Sequence, residues 1–552
     1  MNAMTNRIEG ALCAWRKALG DDAVQFENDA LRVYSLDTSD FSTSPVAILL
    51  PATLGEVQQV VRIAVQFLIP LYPVSTGRNW GYGTANAPKD GCAIVDLSLM
   101  SHIREFDVEL GLATLEPGVT QGVLQSWLEE RGLSFMVPTT GAGPRCSLLG
   151  NALERGYGLT PIADHFAAVV AIEAVLPDGT VYRSPMMDAG VSNGFKWGVG
   201  PYVDGLFSQG NIGIVTGMTV ALARRPEHVE AFYFWIDSDA DLEVAVNSVR
   251  GILQQEGSNV GGINLMSASR FLAMSERFPE GQADKGQILA AEVIERLARR
   301  AGAAPWMGVG AIYGSRRHVA ASRKAIRSAL SRVAGRVLFM SSTKARRIAA
   351  LTRWIPGNRS RRLARTLETM RQGLALLEGR PNELALPLAY WKSGMPPDRD
   401  LDPARDRCGL LWYAPIVPIR AADARRFVDL VRAICAAHAF EAPITLTSVS
   451  ERSFDCTLPL LFDATCAESA RRADKCWRAL FAEGRRAGFL PYRLHPRYAA
   501  MVTNSETPFW RTAQKIKDAL DPLDLISPGR WTLPFEEQAV AITTIQKEPH
   551  HV

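Results

Sequence analysis

The chain has 552 residues, with 61 Lys and Arg against 57 Asp and Glu for a formal charge of +4, and is 47% hydrophobic and 21% charged. One hydrophobic core does not serve so long a chain, because cores stop growing at roughly 250–300 residues, so two large lobes are expected. The apolar content excludes global disorder, and a charge this small over so large a surface does not imply nucleic acid as a partner.

At the N-terminus, Arg7, Glu9, Arg16 and Lys17 interrupt the apolar run that a secretory leader needs. No stretch approaches the ~20 apolar residues that span a bilayer, so a cytoplasmic location with no membrane partner is the expectation. Residues 46–50 form a short apolar run ending at Pro51, and 54–67 place apolar residues at helical spacing: strand, then helix. Residues 69–74 lead into the run Ser75 to Gly83 (Ser-Thr-Gly-Arg-Asn-Trp-Gly-Tyr-Gly), which reads as a functional loop. Strands are expected at 92–97 and 113–116, a helix at 120–131, and a hairpin turning at Asp178-Gly179 between 171–176 and 181–183. After Arg225-Pro226 the character changes: 240–380 is dominated by helical periodicity and is rich in arginine, with Arg346, Arg347, Arg359, Arg361, Arg362 and Arg365 among them. The arginine-rich 340–372 stretch reads either as a solvated helical face or as a dock for an acidic electron-transfer partner. Residues 410–418, 421–438, 444–450 and 453–461 read as strand, helix, strand, strand, giving the second lobe its own sheet. A helix is expected at 509–520, and a disordered tail after Phe535. The eight cysteines show no CxxC pair and no His at zinc-ligand spacing, which predicts reduced, mostly buried thiols and no metal.

Gly77, Gly81 and Gly83 free the backbone to bring N–H groups against a bulky anion. A single run of this kind reads first as a tight surface turn. It is not a Walker loop, because no Gly-Lys-Ser or Gly-Lys-Thr follows, nor does a GxGxxG open a helix straight after the strand. Two further runs, 139–158 (Thr139-Thr-Gly-Ala-Gly-Pro, then Leu149-Gly-Asn-Ala-Leu-Glu-Arg-Gly) and 207–216 (Phe-Ser-Gln-Gly-Asn-Ile-Gly-Ile-Val-Thr), lie in the same lobe, and three such loops point to one extended ligand.

Together with Leu115-Glu-Pro-Gly-Val-Thr, Gly200-Pro-Tyr-Val-Asp-Gly and Ser527-Pro-Gly-Arg, these runs occur in the order found in the vanillyl-alcohol oxidase and p-cresol methylhydroxylase family, which the chain closely resembles over 45–225 and again from about 409. The resemblance implies an α+β, two-lobed FAD-linked oxidase fold. In it, 1–226 is the FAD-binding domain, 227–490 a cap over the substrate, 491–535 the return to the FAD-binding domain and 536–552 a tail. It implies FAD contacts at Ser75, Thr76, Gly77, Arg78, Asn79, Gly81, Thr139, Asn151, Glu154, the main chain around Ile214, and Arg530. It further implies a small-molecule substrate and either molecular oxygen or a cytochrome-type electron acceptor, and it leaves a homodimer open.

Relatives hold a para-substituted phenol as its phenolate between two tyrosines and an arginine, and Tyr82, Tyr492 and Arg493 match those positions. A guanidinium and two O–H donors stabilise a phenolate while the ring expels hydride from the para carbon. Two departures stand out. The segment where several phenol oxidases carry an Asp near flavin N5 offers only Thr139 and Thr140, and Leu410 stands where relatives bond the flavin through His or Tyr, so the FAD is expected to be non-covalent. Three readings stay open: a phenol oxidase or dehydrogenase, a biosynthetic flavin enzyme acting on a non-phenolic alcohol or amine, and a flavoprotein subunit of an electron-transfer complex. His165 and His495 read as hydrogen-bonded structural histidines or as groups facing the cofactor and the substrate, respectively.

Overall fold

A Thr53 side chain that accepts from the N–H of Glu56 starts the helix Leu54–Phe67, and Leu68, at φ 52°, ends it in the left-handed conformation. Its Val57, Val60, Val61 and Ala64 are buried against a four-stranded sheet ordered Val24–Gln25, Ala47–Leu49, Ala93–Asp96, Leu71–Val74. The last three of these strands run parallel, and both Ala47–Leu49 and Leu71–Val74 pair with Ala93–Asp96. This computed structural model describes residues 2–279, 281, 288–352, 358–394, 396–397 and 400–533, without the side chains of 2–3 and 351–365.

The far end of the chain returns to the same sheet. Ile526 bridges Leu71 in parallel, with the Leu71 N–H donating to the Leu525 carbonyl at 2.7 Å and the Ser527 N–H to the Leu71 carbonyl at 2.8 Å. A buried Lys517 holds that return: its ammonium donates to the carbonyls of Ile526 (2.7 Å) and Asn211 (2.8 Å) and to the Asp521 carboxylate. Asp521 in turn accepts from the N–H groups of Leu525 and Ile526.

A second, antiparallel sheet is ordered Ile103–Asp107, Leu112–Leu115, Ile214–Ala221, Val169–Val175, Val181–Arg183. The hairpin expected at Asp178-Gly179 closes it, with Gly179 at φ 80° and Asp178 accepting from the Thr180 N–H at 2.9 Å.

A third sheet of eight strands runs Arg336–Met340, His228–Ile236, Trp306–Gly314, Asn264–Ser267, Thr445–Ser448, Ser453–Asp463, Cys408–Tyr413, with Ile416–Pro418 also paired to Ser453–Asp463. Helices Leu242–Glu256, Arg316–Leu330, Ala421–Ala437 and Ala467–Arg486 pack on one of its faces to form the largest core.

Residues 240–380 are mostly helical, as expected, but three of the eight strands also lie inside that segment and were not foreseen. Trp306–Gly314 was masked by its glycines, which look like strand breakers. A Cβ on Gly308 would fall 1.9 Å from the Phe234 ring and one on Gly310 2.5 Å from the Phe232 ring. The rings of the neighbouring strand fill the space those side chains would take. The single strand expected over 410–418 is two, separated by Ala414-Pro415.

Arg346 and Arg347 are exposed on the helix Ser342–Thr352, while the side chains of Arg359, Arg361, Arg362 and Arg365 and the tail from 534 lie outside the described residues. The cysteines are free thiols, with Cys13 and Cys466 exposed and the other six buried. Among the described residues no helix is long and apolar enough to cross a membrane.

Candidate active site

Strand Leu71–Val74 delivers the loop Ser75 to Gly83 into a cavity of about 390 Å³. Gly77, Gly81 and Gly83 have φ of 63°, 79° and 96°, values that side chains resist. The N–H groups of Ser75, Thr76, Gly77, Arg78 and Asn79 make no backbone hydrogen bond with the described residues, so five successive residues that line the cavity have uncommitted donors. Such a row suits the diphosphate of a dinucleotide. Gly81 has a different place. Its N–H donates to Thr38 Oγ1 at 2.9 Å, and a Cβ there would fall 2.3 Å from Trp412. It joins the loop to strand Cys408–Tyr413 and does not line the cavity.

The second loop enters the cavity through a helix capped by Ser147, whose hydroxyl accepts from the Gly150 N–H at 3.0 Å. Asn151 and Glu154 line the cavity, and Thr140 does so in place of Thr139, whose hydroxyl donates to the Leu376 carbonyl at 2.9 Å. Burial pushes the Glu154 carboxyl up, but the Arg530 and Arg493 guanidiniums more than reverse this and leave it below its ordinary value. Glu154 accepts from Arg530 and lies 3.6 Å from Arg493, so one carboxylate links the C-terminal return to the residue pair 492–493. Gly213 and Val215 line the cavity, whereas the Ile214 side chain is fully buried in the core of the first sheet.

Arg78 also lines the cavity, 3.6 Å from Asp402. His165 is buried 2.6 Å from Asn151 Oδ1, and burial lowers its pKa to about 4, so the ring is neutral at pH 7. His495 does not face the cavity. It is fully buried 2.9 Å from Asp37, whose carboxyl burial would raise but His495 holds below its ordinary value.

Against the same loop, the Arg493 guanidinium carbon sits 4.4 Å from the Tyr82 ring centroid, and Arg493 donates to Asn79 Oδ1. Tyr492 stands edge-on to Tyr157 with ring centroids 5.5 Å apart. The Tyr82 and Tyr492 hydroxyls are pushed up by burial against the opposing pull of Arg493.

Asp455 lies in the same wall, and sequence reasoning missed it. Burial raises its carboxyl to about 7 despite the Tyr492 hydroxyl and Arg493, and its Oδ1 has no hydrogen-bond partner among the described residues. The signal was present in strand Ser453–Asp463: Phe454, Cys456, Leu458 and Leu460 alternate into the core, which turns Asp455 and Thr457 to the cavity. By the same alternation Leu411 and Tyr413 face the core while Leu410 and Trp412 line the cavity. Arg270, on helix Ala268–Ser275, was also missed, because it lies in the segment without motif matches.

A cradle of uncommitted N–H donors beside a largely buried group of tyrosines and arginine suits a dinucleotide ligand, and comparison with known proteins gives the cofactor and the redox class. An FAD binding domain family matches residues 45–184. The chain is 34% identical to a 1'-carboxy-chondrochloren decarboxylase of Chondromyces crocatus over 96% of this chain and 98% of that one. It is 28% identical to the flavoprotein subunit of a 4-cresol dehydrogenase of Pseudomonas putida, over 94% of both chains. The structure of p-cresol methylhydroxylase with substrate bound superposes with a TM-score of 0.84 at 26% identity, over 96% of this chain and 98% of that one. The chain belongs to the p-cresol methylhydroxylase-type family of FAD-linked oxidases, and the protein is an FAD-binding oxidoreductase.

Proposed function

We propose that the protein removes hydride from the para side chain of a phenol bound as its phenolate between Tyr82, Tyr492 and Arg493. The observation that carries this reading is the packing of one guanidinium over Tyr82, beside Tyr492, in the wall of a cavity that also presents the N–H cradle. FAD, when bound, supplies the hydride acceptor.

The chain's own residues do the rest. Ser75, Thr76, Gly77, Arg78, Asn79 and Asn151 hold the cofactor, together with the main chain flanking Ile214 and Arg530, which Glu154 keeps in place. Gly81 and Thr139 act indirectly, by fixing the loop and its neighbour. Tyr82 and Tyr492 donate to the phenolate oxygen, and Arg493 favours its charged form. Asp455, titrating near neutrality, accepts the phenol proton. The electron acceptor that restores the flavin is molecular oxygen or a cytochrome-type protein.

A second reading couples the same hydride removal to loss of carbon dioxide, and the 34% identity to a decarboxylase favours it. Removing hydride from the benzylic carbon leaves a quinone methide. If the next carbon bears a carboxylate, that C–C bond breaks, its electron pair closes a new C=C bond, the ring returns to phenolate and carbon dioxide departs.

The experiment is anaerobic flavin bleaching by a panel of 4-alkylphenols and their acid-bearing analogues, comparing wild type with Arg493→Met. Loss of one preorganised donor is expected to cost about 2–4 kcal/mol and slow reduction by roughly two to three powers of ten. Equal rates in the two proteins, or bleaching only by non-phenolic alcohols or amines, would sink the phenolate reading.

A further inference from the structure

Four arginines line the cavity, and three of them have an acid nearby: Arg78 has Asp402 at 3.6 Å, Arg493 has Glu154 at 3.6 Å, and Arg530 has Glu154. Arg270 is the exception. Its Nε and Nη1 are shut off from solvent and make no hydrogen bond with any described residue, and its guanidinium carbon lies 5.3 Å from the Trp412 ring centroid. Ser267, which caps the helix by accepting from the Arg270 N–H at 3.3 Å, fixes the base of the side chain. Burial alone lowers the guanidinium to about 10, so it remains cationic at neutral pH.

A buried, unpaired cation costs several kcal/mol in an unliganded protein, and it is expected where a ligand brings the missing anion. The cofactor's diphosphate is not the natural candidate. The uncommitted N–H groups lie on the loop that leaves the first sheet, whereas Arg270 comes from the lobe of the eight-stranded sheet, beside Trp412 and on a helix whose Ala273 packs with Leu388, Ala389 and Leu410. That apolar wall suits the side chain of a substrate with its charge at the end. A guanidinium stacked on an indole is also a well-suited carboxylate receptor, since its planar donors can pair with both oxygens.

We propose that Arg270, backed by Trp412, anchors a carboxylate on the substrate's side chain, so that the substrate class is a phenol with an acid-bearing para substituent. This rests on the proposed function for the phenol end of the ligand, while the carboxylate end stands on Arg270 itself.

The test uses the FAD-loaded protein and ligands that have no sp3 benzylic hydrogen to give up: 4-hydroxycinnamate, its methyl ester, and cinnamate, with affinities read from the flavin difference spectrum and by calorimetry. Wild type is expected to bind 4-hydroxycinnamate about 10- to 100-fold more tightly than the ester, the range of one charge-assisted contact. Arg270→Met should abolish that preference at unchanged FAD content, and Arg270→Lys should keep part of it. Acid and ester of equal affinity in wild type, whether tight or too weak to measure, would overturn the proposal, as would a preference that survives Arg270→Met. Loss of FAD from Arg270→Met with FAD retained in Arg270→Lys would assign the arginine to the cofactor and overturn it as well. Cinnamate binding as tightly as 4-hydroxycinnamate, with the same loss in Arg270→Met, would uphold the carboxylate anchor and remove the phenol from the reading.

Discussion

Asp455 is an acid placed where its charge is poorly supported: burial outweighs the Tyr492 hydroxyl and the Arg493 guanidinium, both of which favour the charged form. The folded protein therefore prefers the protonated form up to about pH 7, while the unfolded chain releases the proton near the ordinary 3.8. Stability linked to this group is fully present below the lower value and is lost as pH rises through the upper one, up to about 4 kcal/mol if the whole shift is expressed. Asp455→Asn carries no such charge. Its unfolding midpoint without cofactor should gain on wild type progressively between pH 4 and 7 and hold a constant lead above that. A lead that does not vary with pH would mean that Asp455 does not titrate in this range. The residue could have been found from sequence, because an Asp at an alternating position in an apolar strand has to face something polar. What the sequence withheld is what it faces, since Tyr492 arrives from 37 positions further on.

The loop Ser75 to Gly83, proposed to cradle the cofactor's diphosphate, owes its shape to what it lacks. Gly77 combines φ 63° with a neighbour, Ala85, whose Cβ would be 3.2 Å from an added one. Gly77→Val adds a branched side chain in a conformation it resists, and would turn the N–H row away from the cavity. FAD occupancy, read as the ratio of flavin to protein absorbance, should drop sharply, while Gly55→Ala, at a helical position with nothing within 4 Å of the new Cβ, should keep it. Full occupancy in Gly77→Val would move the diphosphate elsewhere. Elements with a clean period were legible: the helix expected at 421–438 is Ala421–Ala437, and the one at 120–131 is Gln121–Glu130 with Thr120 as its cap. Trp306–Gly314 was not, because its glycines make sense only opposite Phe232 and Phe234.

Across the whole molecule the cavity is bounded by pieces distant in sequence, among them 72–84, 140–157, 207–215, Arg270, 385–389, the strands at 410–412 and 455–457, 492–493 and Arg530. A cofactor bound as proposed would span several of these pieces, and its binding free energy would add to the stability of the assembled fold. Leu410 lines the cavity without a nucleophile to offer. Precipitation by acid or heat should therefore release all of the FAD into the supernatant. Flavin that stayed on the denatured chain would refute non-covalent binding and direct attention to another nucleophile in the wall, such as Cys146.

By itself the sequence determined the α+β pattern, the glycine-rich loops in their family order and, through them, FAD, because those features depend on local backbone freedom and on periods of 2 and 3.6 residues. Only the tertiary structure decided which side chains share the cavity. It placed Asp455 and Arg270 in the wall, turned Thr139, Ile214 and His495 away from it, and joined Glu154 to both Arg530 and Arg493. The physical reason is that a buried charge takes its partner from whatever the fold brings within a few ångströms, and no local pattern records a neighbour nearly 400 residues away, as Arg530 is from Glu154.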